Sequence, residues 1–198
     1  MPERGSRLPR AFYERDARVV AKALLGKLLV RDDGRAGRIV EVEAYLGGRD
    51  PGSHAYRGPT ARNATMFGPG GHLYVYFTYG MHWCANAVCG PEGEGTAVLL
   101  RAVAPVDGVD LMQAARPGRR PADLANGPAK LCQAFGLDRA FDGADLVTGD
   151  RGVAIADDGT PAPRRPANST RVGLSNGREH PWRWWVPADP HVSRGRPS

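Results

Sequence analysis

The chain has 198 residues, 41% of them hydrophobic and 24% charged, which suits one globular domain with a buried core and argues against a disordered polypeptide. Its most apolar early stretch, 23–30, is broken by Lys27; it is too short to span a bilayer and lacks a signal-peptide cleavage pattern, so a cytoplasmic protein with no membrane partner is expected. Net charge is +6, and since only Lys22, Lys27 and Lys130 are lysines, arginine supplies the other 24 of the 27 basic residues. Guanidinium forks suit phosphate, which makes nucleic acid a natural partner, although a chain that simply writes Arg for Lys would show the same excess.

Residues 1–10 are polar and read as a flexible tail. From Asp16 to Leu25, Ala17, Val20, Ala21 and Leu24 recur at helical spacing, and Gly26 supplies a stop. Lys27–Arg31 reads as a strand, 32–34 as a turn and Arg38–Tyr45 as the returning strand. Strict alternation there puts Val40, Val42 and Ala44 on one face and Ile39, Glu41, Glu43 and Tyr45 on the other. An edge strand with one wet face would explain two carboxylates. The stretch 49–71 has little periodicity and is long for a structureless connection.

Two β-rich runs, Leu73–Thr78 and His82–Val88, then read as a hairpin with Tyr79 at its tip. A turn at 90–95 leads to a strand from Thr96 to Val103. Asp107–Ala115 reads as a helix, and Pro128 opens another that Gly136 can end. Late strands are expected at 152–156, 171–174 and 183–186. Mixed, non-alternating elements predict a single α+β domain on a curved antiparallel sheet flanked by helices.

Cys84, Cys89 and Cys132 are an odd number with no CxxC spacing, which points to buried thiols in a reducing compartment. Three features carry chemistry. Tyr74, Tyr76 and Tyr79 lie within six residues, beside Phe77 and Trp83; a tip tyrosine either packs on a neighbouring loop or wedges into a base stack. In Glu43-Ala44-Tyr45 a carboxylate shares a strand face with an aromatic ring, so that a flat group held by stacking would have an acid–base residue nearby. Arg101 ends an otherwise apolar strand, where pairing with a carboxylate at the core edge would account for it equally well. His54, His72 and His82 form no metal-binding spacing, and no deaminase, P-loop or dinucleotide signature occurs.

Together these stretches resemble a known family: RIVEVEAYLGGRDPGSHAYRG at 38–58, RNATMFGPGGHLYVYFTYGMHWCANAV at 62–88, AVLLRAVAP at 97–105, NGPAKLCQAFG at 126–136, RVGL at 171–174 and PWRWW at 181–185. The chain is similar to the alkyladenine (3-methyladenine) DNA glycosylases found in mammals and many bacteria, from about Phe12 to Arg194. The resemblance implies one glycosylase domain, 11–194, with tails at 1–10 and 195–198, and a protruding hairpin that intercalates into DNA. It implies a monomeric, monofunctional enzyme that flips alkylated or deaminated purines out of double-stranded DNA and hydrolyses their glycosidic bond, with no cofactor and no metal.

By the same resemblance Glu43 is the general base and Arg101 helps to hold the attacking water. Tyr45 stacks on one face of the flipped base and His54 and Tyr76 on the other. Asn86 and Leu99 form the pocket wall, where Asn86 clashes with the 2-amino group of guanine. Tyr79 intercalates, and Asp145 is a further acidic residue near the site. Lys130, at a helix start, suits a phosphate of the DNA backbone. Two rival readings stay open: a non-catalytic module that recognises damaged DNA, which has no need to keep Glu43 with Arg101, and a nucleosidase, which has no use for an intercalating tip.

Overall fold

The computed structural model describes residues 5–195. Ser6–Arg7 form a short strand, β1, and Arg10–Tyr13 one helical turn, α1. Asp16 accepts a hydrogen bond from the Arg18 backbone N–H and so caps α2, Ala17–Leu24. The strands β2 (Leu28–Arg31) and β3 (Ala36–Leu46) follow, then β4 (His72–Thr78), β5 (His82–Cys89) and β6 (Thr96–Asp107). Helices α3 (Val109–Ala115) and α4 (Pro128–Phe135) precede four short strands: β7 (Ala144–Asp145), β8 (Val153–Asp157), β9 (Ala167–Ser169) and β10 (Arg183–Trp185).

The strands join in the order β1-β8-β2-β3-β6-β5-β4-β7, with β10 added to β3 and β9 to β10, and every pairing is antiparallel. The class is the expected α+β with a curled antiparallel sheet. Val20, Ala21 and Leu24 of α2 and Leu131, Ala134 and Phe135 of α4 are fully buried in one core with Val42, Ala44, Val98 and Leu100 of the sheet. A smaller cluster of Ala55, Met66, Tyr74, Val88 and Ala97 packs the 49–71 segment against the sheet. That segment is not structureless: it holds two short 3-10 turns, Gly47–Arg49 and Ala64–Phe67.

Strand β3 departs from its sequence reading in two ways. It is no edge strand, because β6 runs along one side while β2 and then β10 cover the other. Its alternation is also broken. Pairing passes from Ile39↔Val103 to Glu41↔Ala102 to Val42↔Leu100, so Val40 on β3 and Arg101 on β6 are each one residue in excess. The two bulges compensate, and register is restored beyond them. Ile39 therefore shares the core with Val42 and Ala44, and does not lie on the face of Glu41 as alternation predicts.

Other differences have local causes. Ser6–Arg7 pair with β8 and Leu8 is buried, so the described part of the expected N-terminal tail is built into the sheet. Residues 1–4 and, beyond Gly195, the expected C-terminal tail lie outside the described residues. Strand β6 continues to Asp107, and α3 starts only after Gly108, whose φ is +59°. No strand forms at 171–174. There the Val172 N–H goes to the Glu43 carboxylate, and Arg171 enters a buried ion pair with Asp50 at 2.6 Å.

Both members of that pair have no exposed surface, and Asp50 also accepts the backbone N–H groups of Leu46 and Gly52. Removing one partner strands a buried charge, so Asp50→Ala should lower folding stability by about 3–5 kcal/mol. Urea unfolding measures this, and a loss under about 1 kcal/mol would show the pair to be dispensable.

Candidate active site

Two carboxylates on β3, two residues apart, lie at zero exposure and differ in how fully they are bonded. Glu41 Oε1 accepts from Arg101 Nε at 2.7 Å, Arg183 Nε at 2.7 Å and Ser193 Oγ at 2.9 Å, while its Oε2 accepts the Ser193 N–H at 2.6 Å. Burial pushes its carboxyl up, but the Arg101 and Arg183 cations outweigh it and hold the pKa below the ordinary carboxylate value. Four donors therefore hold Glu41, three of them on Oε1.

Glu43 has Oε1 bonded to the Val172 N–H at 2.8 Å and 3.1 Å from Arg101 Nη1, and Oε2 accepting from the Tyr45 hydroxyl at 2.9 Å. These three partners leave about one of a carboxylate's four acceptor positions for another donor. Burial disfavours the Arg101 cation, yet Glu43 and Glu41 together hold it protonated well above the ordinary range. Burial and then the Glu43 charge drive the Tyr45 hydroxyl far above its usual pKa, which keeps it a donor. Arg101 reaches both carboxylates because the β6 bulge falls at Arg101 itself.

Beside this network opens a cavity of about 290 Å³. Tyr45, His54, Tyr76, Asn86, Leu99, Arg101 and Tyr79 all line it, with Val172 and Pro128. Glu43 does not; it lies directly behind three lining residues, Tyr45, Arg101 and Val172, each bonded to it. Asn86 and Leu99 face each other across β5 and β6, and Glu43 pairs with Leu99 across β3 and β6, which explains how three strands converge here. The Asn86 amide is fixed by donating to the Tyr74 carbonyl at 3.2 Å.

The aromatic residues brace one another. His54 meets Tyr76 edge-on with centroids 4.4 Å apart, and Tyr76 stacks on Tyr74 at 5.4 Å. Burial and the Arg62 cation hold the His54 pKa below its ordinary value, which favours the neutral ring at pH 7. Asn63 organises the segment that carries His54: its amide donates to the carbonyls of His54 and Gly58 and its oxygen accepts from Thr60. The Arg171 guanidinium sits 4.6 Å from the Tyr45 centroid and 5.1 Å from that of Trp182.

Tyr79 is 80% exposed and stands between the paired strands β4 and β5, whose last register pair is Thr78↔His82. Its φ of +51° lies in the left-handed region, strained for a residue with a side chain. Arg62 donates to the Phe77 carbonyl at 2.9 Å and steadies the turn from behind.

Two sequence-predicted residues lie elsewhere. Asp145 is on β7, opposite His72 at the far end of β4 from Tyr79, and is ion-paired with Arg10 at 2.6 Å. There its carboxylate holds α1 to the sheet. Lys130 lies two residues past Pro128 on α4 and donates to Asn126 Oδ1 at 2.7 Å. Burial and the nearby Arg116 cation lower its pKa. His54, His72 and His82 do not converge, and among the described residues no three His, Cys, Asp or Glu side chains form a metal-binding group. Reading the sequence passed over Glu41, Arg183, Asn63 and Ser193. Glu41 had a visible signal in its spacing from Glu43, but Ser193 had none, since it arrives from 152 residues away.

The family model for methylpurine-DNA glycosylase matches residues 11–190. A relative from Burkholderia lata is 58% identical over 190 residues, covering 96% of this chain and 92% of the relative. One from Streptomyces avermitilis is 51% identical over 192 residues, covering 94% and 90%, and one from Methanoculleus marisnigri 50% over 192, covering 94% and 98%. Each bears the name "Putative 3-methyladenine DNA glycosylase". With a model match over most of its length and such identities on both sides, the chain belongs to the methylpurine-DNA glycosylase family.

Proposed function

We propose that the protein is a monofunctional DNA glycosylase of base excision repair that flips alkylated or deaminated purines, such as 3-methyladenine, 7-methylguanine and hypoxanthine, into the aromatic cavity and hydrolyses their bond to deoxyribose. The observation that carries the reading is the placement of Glu43 against the cavity wall. Its three partners, Tyr45, Arg101 and Val172, all line the cavity, whereas of the residues bonded to Glu41 only Arg101 does. A module that only recognised damage would have no reason to keep such a carboxylate next to a stacking pocket.

In this mechanism Glu43 takes a proton from water held near Arg101, and the water oxygen bonds to the sugar C1′. The glycosidic electron pair leaves with the base, which yields free purine and an abasic strand; a neutral base such as hypoxanthine takes up one proton as it leaves, equal to the one that Glu43 removes from water. An N3- or N7-alkylated purine is cationic before cleavage and departs as a neutral molecule, and its charge is attracted to the rings of Tyr45 and Tyr76. Stacking on these rings contributes roughly 1–3 kcal/mol per base, comparable to the cost of unstacking. Tyr79, exposed and strained at its turn, fills the gap that the flipped nucleotide leaves.

Several features support DNA as the partner. Lys130 lies in the electrostatic range of Arg116, Arg119 and Arg194, two residues past Pro128 at the cavity rim, which suits the backbone flanking a flipped nucleotide. No lysine is among the residues that line the cavity, which supports water as the nucleophile in place of an amine that would form a Schiff base. No helix among the described residues is long and apolar enough to cross a membrane. The cytoplasm, with the nucleoid as substrate, is the compartment this activity implies.

Glu43→Gln should retain binding to lesion-containing duplex and lose about 10²–10⁴-fold in excision rate, because glutamine cannot accept the proton. Single-turnover assays on defined-lesion oligonucleotides, followed by alkali, read this out; cutting within about threefold of wild type would remove Glu43 as the base.

Tyr79→Ser should slow excision most for well-paired lesions and least for single strands or mismatches, since serine cannot fill a base stack. An equal loss in every context would argue against a wedge.

Asn86→Ser should raise guanine release relative to hypoxanthine release by removing bulk from the cavity wall, a gain of activity on the wrong base. An unchanged ratio would assign the selectivity to another residue.

A further inference from the structure

Glu41 is a buried, heavily bonded carboxylate that the proposed chemistry does not use. Its carboxylate lies at zero exposure and accepts from four donors on three separate elements: Arg101 on β6, Arg183 on β10, and Ser193 near the chain's end. The same Arg101 that gives its Nε to Glu41 lies with Nη1 3.1 Å from Glu43 Oε1. Ser193 is gripped from two further directions, by Arg101 Nη2 on its hydroxyl at 3.3 Å and Arg183 Nη2 on its carbonyl at 3.4 Å. Two residues on, Gly195 passes so close that a Cβ there would meet Val172 Cγ1 at 2.9 Å and Arg101 Nη2 at 3.3 Å.

We propose that Glu41 is a positioning residue: it clamps the Arg101 guanidinium in the orientation that serves Glu43, and it ties segment 189–195 over the back of that pair. A guanidinium is planar, so fixing Nε from one side determines where both terminal nitrogens point. With Nε held, Nη1 is directed at Glu43 and the remaining N–H groups are limited to Ser193 and the cavity side. Without the clamp, Arg101 sits at a bulge, where no cross-strand partner enforces its direction. Glutamine at position 41 removes the negative charge that Arg101 and Arg183 share, and with its oxygen at the Oε1 place it turns an NH₂ group on the Ser193 N–H, which loses its acceptor.

The inference rests on the reading of Glu43 as the base, and Glu43→Gln assayed in parallel tests that reading separately. Glu41→Gln should lower the single-turnover excision rate by about a hundredfold, the scale on which a misplacement of about 1 Å acts, while duplex binding stays within about threefold. In an Arg101→Met background the same substitution should cost less than about threefold more, because the residue through which Glu41 acts is already gone. If Glu41→Gln fails to fold by circular dichroism, the charge-balanced Glu41→Gln/Arg183→Met variant is measured in its place. Four results would overturn the proposal: a folded variant that cuts within about threefold of wild type, an equal loss in the Arg101→Met background, binding lost in step with excision, or both variants failing to fold, which would make Glu41 part of the scaffold alone.

Discussion

At the centre of the structure two carboxylates and two arginines share a space closed to solvent: Glu41 and Glu43 on β3, Arg101 on β6 and Arg183 on β10. Each alone in such a place would carry a desolvation penalty of several kcal/mol, and only their mutual pairing makes the arrangement tolerable. Balance of charge is therefore a condition on the fold, and geometry follows from it. The three strands must come together in register, the two bulges must fall opposite one another, and the segment around Ser193 must close the last open side.

That condition separates the environments of the sheet. Val42, Ala44, Val98 and Leu100 pack with α2 and α4 in an apolar core. Glu43, Tyr45, Leu99 and Arg101, alternating with these residues along the same two strands, form the polar and aromatic site. The 49–71 segment, pinned by Asn63 and by the buried Asp50–Arg171 pair, brings His54 to the cavity. A rigid, dehydrated floor under an aromatic cavity suits a reaction in which the base must be selected by shape and charge, because interactions there are not diluted by bulk water.

Much of this was legible in the sequence. The helical spacing of α2, the Pro128 start and Gly136 end of α4, and the strand runs at 73–78 and 82–88 are local signals, set by backbone sterics and short-range hydrogen bonds. The cavity-lining residues Tyr45, His54, Tyr76, Asn86 and Leu99 were found through resemblance, and the structure gathers them around one space. Asp145 shows the limit of that approach, since matching a position along the chain says nothing of which partner claims the side chain; here Arg10 does.

By itself the sequence determined the class of fold, the run of elements and the types of residue available for chemistry, because these depend on periodicity, turn residues and side-chain inventory. Only the tertiary structure decided which carboxylate backs the cavity wall and which is held by the late segments of the chain. Period-two alternation puts Glu41 and Glu43 in equivalent places on one strand face. The distinction arises because Arg183 and Ser193, more than 140 residues further along the chain, close on Glu41, whereas Val172 and Tyr45 close on Glu43. The bulges at Val40 and Arg101 are likewise a property of the pair of strands, since an extra residue on one is stable only where its neighbour supplies the compensating one.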